Sequence, residues 1–332
     1  MGIKALRRLQ LGREATPGTA VAATTIWRGL GALEDGREVV FAEEDIGIIG
    51  GVDRAYIPKL YARLEMSEVP ATFEQVLHIL EAGVRDVGTG TADGSGSGRI
   101  YSYPLPTVHL HTVRTYTIEG GDDQQSERLT YGVVEAFELA GSGGEALTMS
   151  ANWFGRSVEP TTFTSALSVP TVETILFGRG RLFIDDVGGT IGTTQISNTL
   201  LEMSLRVSTG WTAHWTADDS LAFTIVRMNR PEATLEMTFE HNGSAVGEKA
   251  AWRAGTPRQI RLQFEGSNLA TPGPGFSRKT LRIDLAGVWE RFGALEDADG
   301  NDIVRGTFRA RYSPAAVQFV TITVVNELTS VP

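Results

Sequence analysis

The sequence predicts a mainly β fold: two tandem β-sandwich or β-barrel modules, each with one flanking α-helix. Three observations predict it. Apolar and polar residues alternate with period two through most of the chain, the pattern of half-buried antiparallel strands. Residues 62–66 read Ala-Arg-Leu-Glu-Met and residues 233–237 read Ala-Thr-Leu-Glu-Met, each ahead of a helix-like segment that ends at a glycine. Only two segments carry helical periodicity.

Taken in order, residues 60–66, 113–118, 133–139 and 147–153 alternate in the first half, and residues 201–207, 234–239, 259–264, 280–285 and 319–325 in the second. In the cleanest of them Leu201, Met203, Leu205 and Val207 share one face, and Glu202, Ser204 and Arg206 the other. The first helix is expected over 70–82, with Thr72 as N-cap, Phe73, Val76, Leu77 and Leu80 on one face, and Gly83 at its end. The second is expected over 244–254, stopped by Gly255 with Pro257 just beyond. Residues 88–98, rich in Gly, Ser and Thr, read as a flexible surface loop.

The internal echo extends further. Residues 116–120 answer 262–266, and residues 134–153 answer 288–312. Residues 201–230 have no counterpart in the first half. The Ser/Thr/Pro stretch at 156–170 separates the copies, giving a first module over 1–160 and a second over 161–332. Duplicated β units build symmetric assemblies in which one chain fills two quasi-equivalent positions.

Composition narrows the function. The chain has 332 residues, 41% hydrophobic and 21% charged, which suits two globular domains. Thirty basic against forty acidic residues give a net charge of −10, the wrong sign for a general nucleic-acid binder. With no cysteine there is no disulfide frame, thiolate metal site or cysteine nucleophile. Residues 1–11 are basic but lack the apolar core of a signal peptide. No apolar run approaches the roughly 18–20 residues that span a bilayer, so no membrane segment is expected.

Chemical motifs are sparse. The glycine run at 88–98 leads into a strand, not a helix N-terminus, so it is no phosphate cradle. His109 and His111, two apart, would share a strand face but have no further ligands at metal-site spacing. Residues 297–302 place glycine fourth instead of sixth and lack a closing glutamate, so a turn explains them better than calcium. No nucleophile elbow is present and no carboxylate pair stands out, so neither an enzyme nor a cofactor is expected. Trp211 and Trp215 flank His214; such aromatics line sugar-binding faces, but core and interface use is commoner.

Two loops share a style. Residues 43–53 open with Glu43, Glu44 and Asp45 and continue through Ile46, Ile48 and Ile49 among glycines. Residues 185–194 open with Asp185 and Asp186 and continue through Val187 and Ile191. Apolar residues at an exposed loop tip are costly in a monomer and fit packing on a neighbour.

The segment Gly12-Arg13-Glu14-Ala15-Thr16-Pro17-Gly18-Thr19-Ala20 resembles the G-x-E-x-T-x-G-T-A opening of tail tube (major tail) proteins of long non-contractile-tailed phages. As in that family, a strand follows around Ile26-Trp27-Arg28, then an acidic and glycine-rich loop, a long alternating strand and one helix. The likeness covers about the first 85 residues. It implies modules similar to the type VI secretion tube protein, six to a ring, with rings stacked into a hollow virion tail that carries DNA into the host. A chain of two modules would then form trimer rings that are pseudo-hexameric. By the same resemblance the protein is made in the host cytoplasm, meets tape measure, tail tip and terminator proteins, and lets DNA pass through the lumen without specific binding. Residues 43–53, and by the internal repeat 185–194, match the loop that reaches the adjacent ring. An acidic lining would repel phosphate and avoid the free energy of counterion release that binding would gain. The alternative class is a carbohydrate- or receptor-binding β-sandwich of the tail tip; a hydrolase on a β scaffold would require a clustered carboxylate pair.

Overall fold

The alternating segments become antiparallel strands, and the two helical patterns become the only α-helices among the described residues. A computed structural model describes residues 2–51 and 53–332; Met1 and Val52, the latter within the first acidic loop, lie outside the described residues. The first half runs β1 (Arg8–Arg13), β2 (Thr25–Trp27), β3 (Gly31–Asp35), β4 (Val40–Phe41), β5 (Ala55–Tyr56), β6 (Ala62–Pro70), α1 (Val76–Gly83), β7 (Thr91–Ala92), β8 (Arg99–Pro104), β9 (Tyr116–Gly121), β10 (Ser126–Ser142), β11 (Thr148–Gly155) and β12 (Val158–Thr161). The second runs β13 (Gly180–Asp186), β14 (Gln195–Ile196), β15 (Leu200–Ser208), β16 (Trp211–His214), β17 (Ile225–Met228), β18 (Glu232–Glu240), α2 (Gly243–Ala254), β19 (Arg258–Asn268), β20 (Arg278–Ala298), β21 (Asn301–Ala310) and β22 (Val320–Asn326).

β10 and β20 are long enough to serve two sheets each. Their later segments lie in one sheet of eight strands, ordered β3-β6-β11-β10-β15-β18-β21-β20. Their earlier segments lie in separate sheets, β2-β1-β9-β10-β12 and β14-β13-β19-β20-β22-β8-β7. The eight-stranded sheet is open. Among the described residues no ladder joins β3 to the later segment of β20, so the barrel alternative does not hold within one chain.

The ladder pattern of the first half recurs in the second. β1, β2, β3, β6, β9, β10, β11 and β12 pair among themselves as β13, β14, β15, β18, β19, β20, β21 and β22 do. Leu64 faces Trp153 as Leu235 faces Phe308, and Met66 faces Ala151 as Met237 faces Gly306. Trp153 then faces Val134 as Phe308 faces Trp289, with a β-bulge at the next residue, Glu135 in one half and Glu290 in the other. The register corrects two sequence matches. Trp153 corresponds to Phe308, not Tyr312. Ile118, opposite Leu11 and Leu129, corresponds to Ile260, opposite Ile184 and Leu285, not to Phe264. Residues 201–230 do have counterparts: β15 stands where β3 stands, and the β16–β17 hairpin where the β4–β5 hairpin stands.

The inner faces of the sheets share one apolar core with α1, including Leu64, Trp153, Tyr116, Leu205, Leu235 and Phe308. α1 starts later than its periodicity suggests. Thr72 accepts from the Gln75 amide at 3.1 Å, but residues 73–75 form a turn and the helix begins at Val76. Every residue of α1 is buried, because it lies between layers. α2 is exposed on its outer side, capped by Asn242 and ended by Gly255 in the left-handed region at φ 65°. The glycine-rich loop is not free. Asp93, buried, accepts from the Gly275 and Phe276 amides, which ties the loop to the second half. The Asp299-Gly300 pair, both at positive φ, turns β20 into β21, and this explains the acidic 297–302 run without an ion.

Candidate functional site

The feature that a β protein must resolve is its open strand edges, since unpaired backbone recruits other chains. Here the relevant edges are β3 and the later segment of β20, at opposite ends of the eight-stranded sheet. Their counterparts, β15 and the later segment of β10, pair with each other where the two halves meet. In that junction Phe137 faces Val207, Glu138 faces Arg206, Leu139 faces Leu205 and Ala140 faces Ser204. Polar contacts back the ladder: Glu138 accepts from Ser204 at 2.6 Å and pairs with Arg206 at 3.3 Å.

The free edges are chemically unlike each other. β3 lies beside Lys4, Arg7 and Arg8, which border a groove of about 220 Å³ along Gly29, Leu30, Gly31 and Ala32. The end of β20 carries Leu295, Glu296 and Asp297, all exposed. α2 covers only its start, where Trp252 donates to the Glu290 carbonyl and Lys249 to that of Gly293.

The two connecting hairpins also differ. β16–β17, from the second half, lies on the first. The Trp211 indole donates to the Gly83 carbonyl at 3.0 Å, and Phe223 is buried against Tyr131 and Phe154. Arg156 donates to the carbonyls of Phe223 and Thr224. Among the described residues β4–β5 has no such seat. Val39, Phe41, Ile46, Ile48, Ile49 and Tyr56 are all exposed, as are Glu43 and Asp45, while Glu44 pairs with Arg54 within the loop.

The second acidic loop connects β13 to β14, the position that residues 14–24 occupy between β1 and β2. It is therefore not the repeat of 43–53. Asp185 is buried and accepts from the Gly192, Thr193 and Thr194 amides. Burial pushes its carboxyl up, but hydrogen bonds from Thr194, Gly192 and Thr193 outweigh that and hold it below the usual range. Asp186 pairs with Arg258, and Val187 and Ile191 are half-buried. Glu14 acts similarly in the first half. It is buried and accepts from the Gly18 amide at 2.6 Å, the Tyr131 amide at 2.9 Å, Thr115 at 2.7 Å and Thr117 at 3.0 Å. Its place in the opening motif is thus a structural one.

The densest ionisable cluster is internal. Glu81 accepts from Arg13, Tyr103 and the Val87 and Gly88 amides, and Arg13 also pairs with Asp86. Burial pushes Glu81 above the usual carboxylate range, and burial with Arg13 nearby pushes His78 down to about 3. Tyr116, itself buried, is within 3.2 Å of the His78 ring. Glu81, His78 and Tyr116 lie in the core, and Arg13 and Asp86 reach the surface in part. Among the described residues no group of three or more His, Asp or Glu is placed to hold a metal. His109 and His111 lie in a loop, not on a strand. Trp211 is buried and Trp215 packs on Tyr61 and Phe223, so the two do not form a sugar platform.

Sequence reasoning missed the two free edges and the seat of β16–β17. The signal that could have found the edges is Leu295, an apolar residue just before the acidic Glu296-Asp297 pair. No protein-family model and no curated protein matches the chain.

Proposed function

We propose that this protein is a self-assembling structural subunit, a tail-tube-like chain of two tandem β-sandwich modules whose copies close into a ring and stack into a hollow tube. One observation carries the reading. The junction between the halves is a strand ladder, and the two strands with a free edge at the ends of the sheet, among the described residues, are its counterparts. The β20 edge of one copy would add to β3 of the next in the way that β10 adds to β15, and only a closed ring leaves no edge exposed. Three chains give the pseudo-hexameric ring of the phage-tail resemblance. At ~4.8 Å between strands tilted by ~40°, eight strands from each of three chains make a backbone circle roughly 45–50 Å across, an open lumen.

Two further features support it. The face of the eight-stranded sheet opposite the core carries Glu34, Glu65, Glu138, Ser204, Glu236 and Thr307. Several of its arginines stand beside acids, Arg63 opposite Glu34, Arg206 paired with Glu138, Arg305 with Glu296, and Arg309 with Glu232 and Glu290, while Arg291, opposite Thr307, has no acidic partner among the described residues. A polar lining in which acids stand beside most of the cations would limit the counterion release that holds DNA in place. The exposed tip with Ile46, Ile48 and Ile49 is suited to stacking on the next ring. The tail-tip glycan-binding alternative loses its main support with the burial of Trp211.

Sedimentation velocity over rising concentration tests the reading. The expected result is a shift from the 35.8 kDa chain to a three-chain species and then to polymers. A chain that stays monomeric throughout, even when seeded with preformed tube ends, contradicts it.

A further inference from the structure

The β4–β5 hairpin has a twin, and the twin has a seat. β16–β17 links β15 to β18 as β4–β5 links β3 to β6, and the two hairpins share a register. Trp211 faces Met228 in one; Val40 faces Tyr56 in the other, which sets Val39 opposite Ile57 at the corresponding step. Counting from the matched strands, Val39 stands where Trp211 stands. Yet Trp211 is buried on the first half, whereas Val39 is 50% exposed and Phe41 68% exposed.

The seat of β16–β17 also has a twin. On the first half it is made by Leu60, whose amide donates to the Leu221 carbonyl, by Tyr61, Val133 and Phe154 around Phe223, and by Arg156. Carried through the ladder register, these positions become Pro231, Glu232, Val288, Arg309 and Arg311. Those five residues line a single groove of about 380 Å³ on the second half, together with Arg230. The groove is the same site in the second copy of the repeat, without a hairpin in it. Its rim carries Arg230 and Arg311 beside an Arg309 already paired with Glu232 and Glu290, and the exposed arm carries Glu43 and Asp45 beside a Glu44 paired with Arg54.

We propose that the β4–β5 arm of one copy docks in the Val288–Arg311 groove of the adjacent copy in the same ring, as β16–β17 docks on the first half within one chain. This rests on the ring reading, because edge pairing of β20 with β3 is what brings the arm of the next copy to that groove. It divides the arm's labour. The stem face with Val39, Phe41 and Ile57 makes the lateral contact, as the Trp211, Ala213 and Met228 face does in the twin, and the tip at residues 46–49 stays free for stacking. Buried apolar area at the stem adds to the edge ladder, so the lateral contact does not depend on strand pairing alone.

The absence of cysteine makes a direct test possible. The double variant Val39→Cys with Val288→Cys is assembled and treated with a short bis-maleimide, and denaturing gels are read against Gln195→Cys with Val288→Cys, whose first site is exposed but off the arm. The expected result is covalent dimer and closed trimer in the assembled fraction, at least tenfold above the control. Rings or tubes that assemble with cross-linking no higher than the control overturn the arm proposal and leave the ring reading standing. Cross-linking only within single unassembled chains also overturns it, since the arm would then occupy its own groove. Wild-type protein that forms no ring under any condition overturns the ring reading and the docking together.

Discussion

Leu139 lies opposite Leu205 in the ladder that joins the two halves and is 1% exposed, while Leu295, at the corresponding ladder position of the second half, has Val304 on one side, no strand among the described residues on the other, and is 47% exposed. The same side chain at the same place in a repeated sheet is core in one half and surface in the other. The difference between them is the neighbouring strand, and the neighbour's counterpart is β3, where Leu33 takes the place of Leu205.

Substitution at the two leucines should therefore separate folding from assembly. Leu139→Ala removes buried side chain and should cost about 2–5 kcal/mol in urea unfolding. Leu295→Lys should change the stability of the isolated chain by less than about 0.5 kcal/mol and yet abolish polymers. Equal loss of stability in both variants, or polymers of normal length from Leu295→Lys, would count against the edge assignment.

Glu14 should be among the most sensitive carboxylates in the chain. Glu14→Ala leaves the buried Tyr131 amide and Thr115 and Thr117 hydroxyls without their acceptor. A loss of roughly 3 kcal/mol or more is expected by chemical denaturation. A change under about 0.5 kcal/mol would mean that water replaces the carboxylate and that the site is more open than described.

Acid should destabilise the fold partly through His78. Its folded value is about 3 against 6.5 unfolded, so between those limits the unfolded chain binds a proton that the native chain does not. Stability then falls as pH drops through 6.5, by about 1.4 kcal/mol per unit. Glu81 runs the other way. Burial raises it, so above 4.5 the native state holds a proton more readily than the unfolded chain, and this partly offsets the loss. His78→Gln, which keeps a polar partner for Tyr116, should flatten the slope between pH 6 and 4. Parallel slopes for the variant and the wild type would remove His78 from the account.

Ile48→Ser with Ile49→Ser should leave folding and ring closure intact, because both side chains are exposed and lie at the tip of the arm. Tube length, measured by electron microscopy, should fall severalfold as stacking weakens. Tubes of unchanged length would take these residues out of the inter-ring contact.

Much of this architecture is legible in the sequence because alternation is local. Each strand declares which face is buried, and the Leu-Glu-Met doublets fix β6 and β18 as counterparts. Pairing is not local. That β10 and β20 each serve two sheets, that β8 crosses to β22, and that 185–194 is a self-contained turn held by Asp185 all depend on contacts far apart in the chain. The glycine-rich 88–98 stretch was expected to be free because composition reports backbone freedom, while Asp93 supplies the tether that composition hides. α1 starts later than its periodicity indicates because Phe73 faces the core from a turn as readily as from a helix. As to the candidate site, the exposed isoleucines of the first loop are readable as a pattern, but the free edges become visible only when both halves can be compared strand by strand.

The most direct test of the central claim is negative-stain electron microscopy of the purified protein over a range of concentrations, with and without mild heating. Stacked rings or tubes with an open lumen are expected, and ring averages in which six similar densities arise from three chains. Compact particles without a lumen under every condition, with tube ends supplied as seeds, would contradict it.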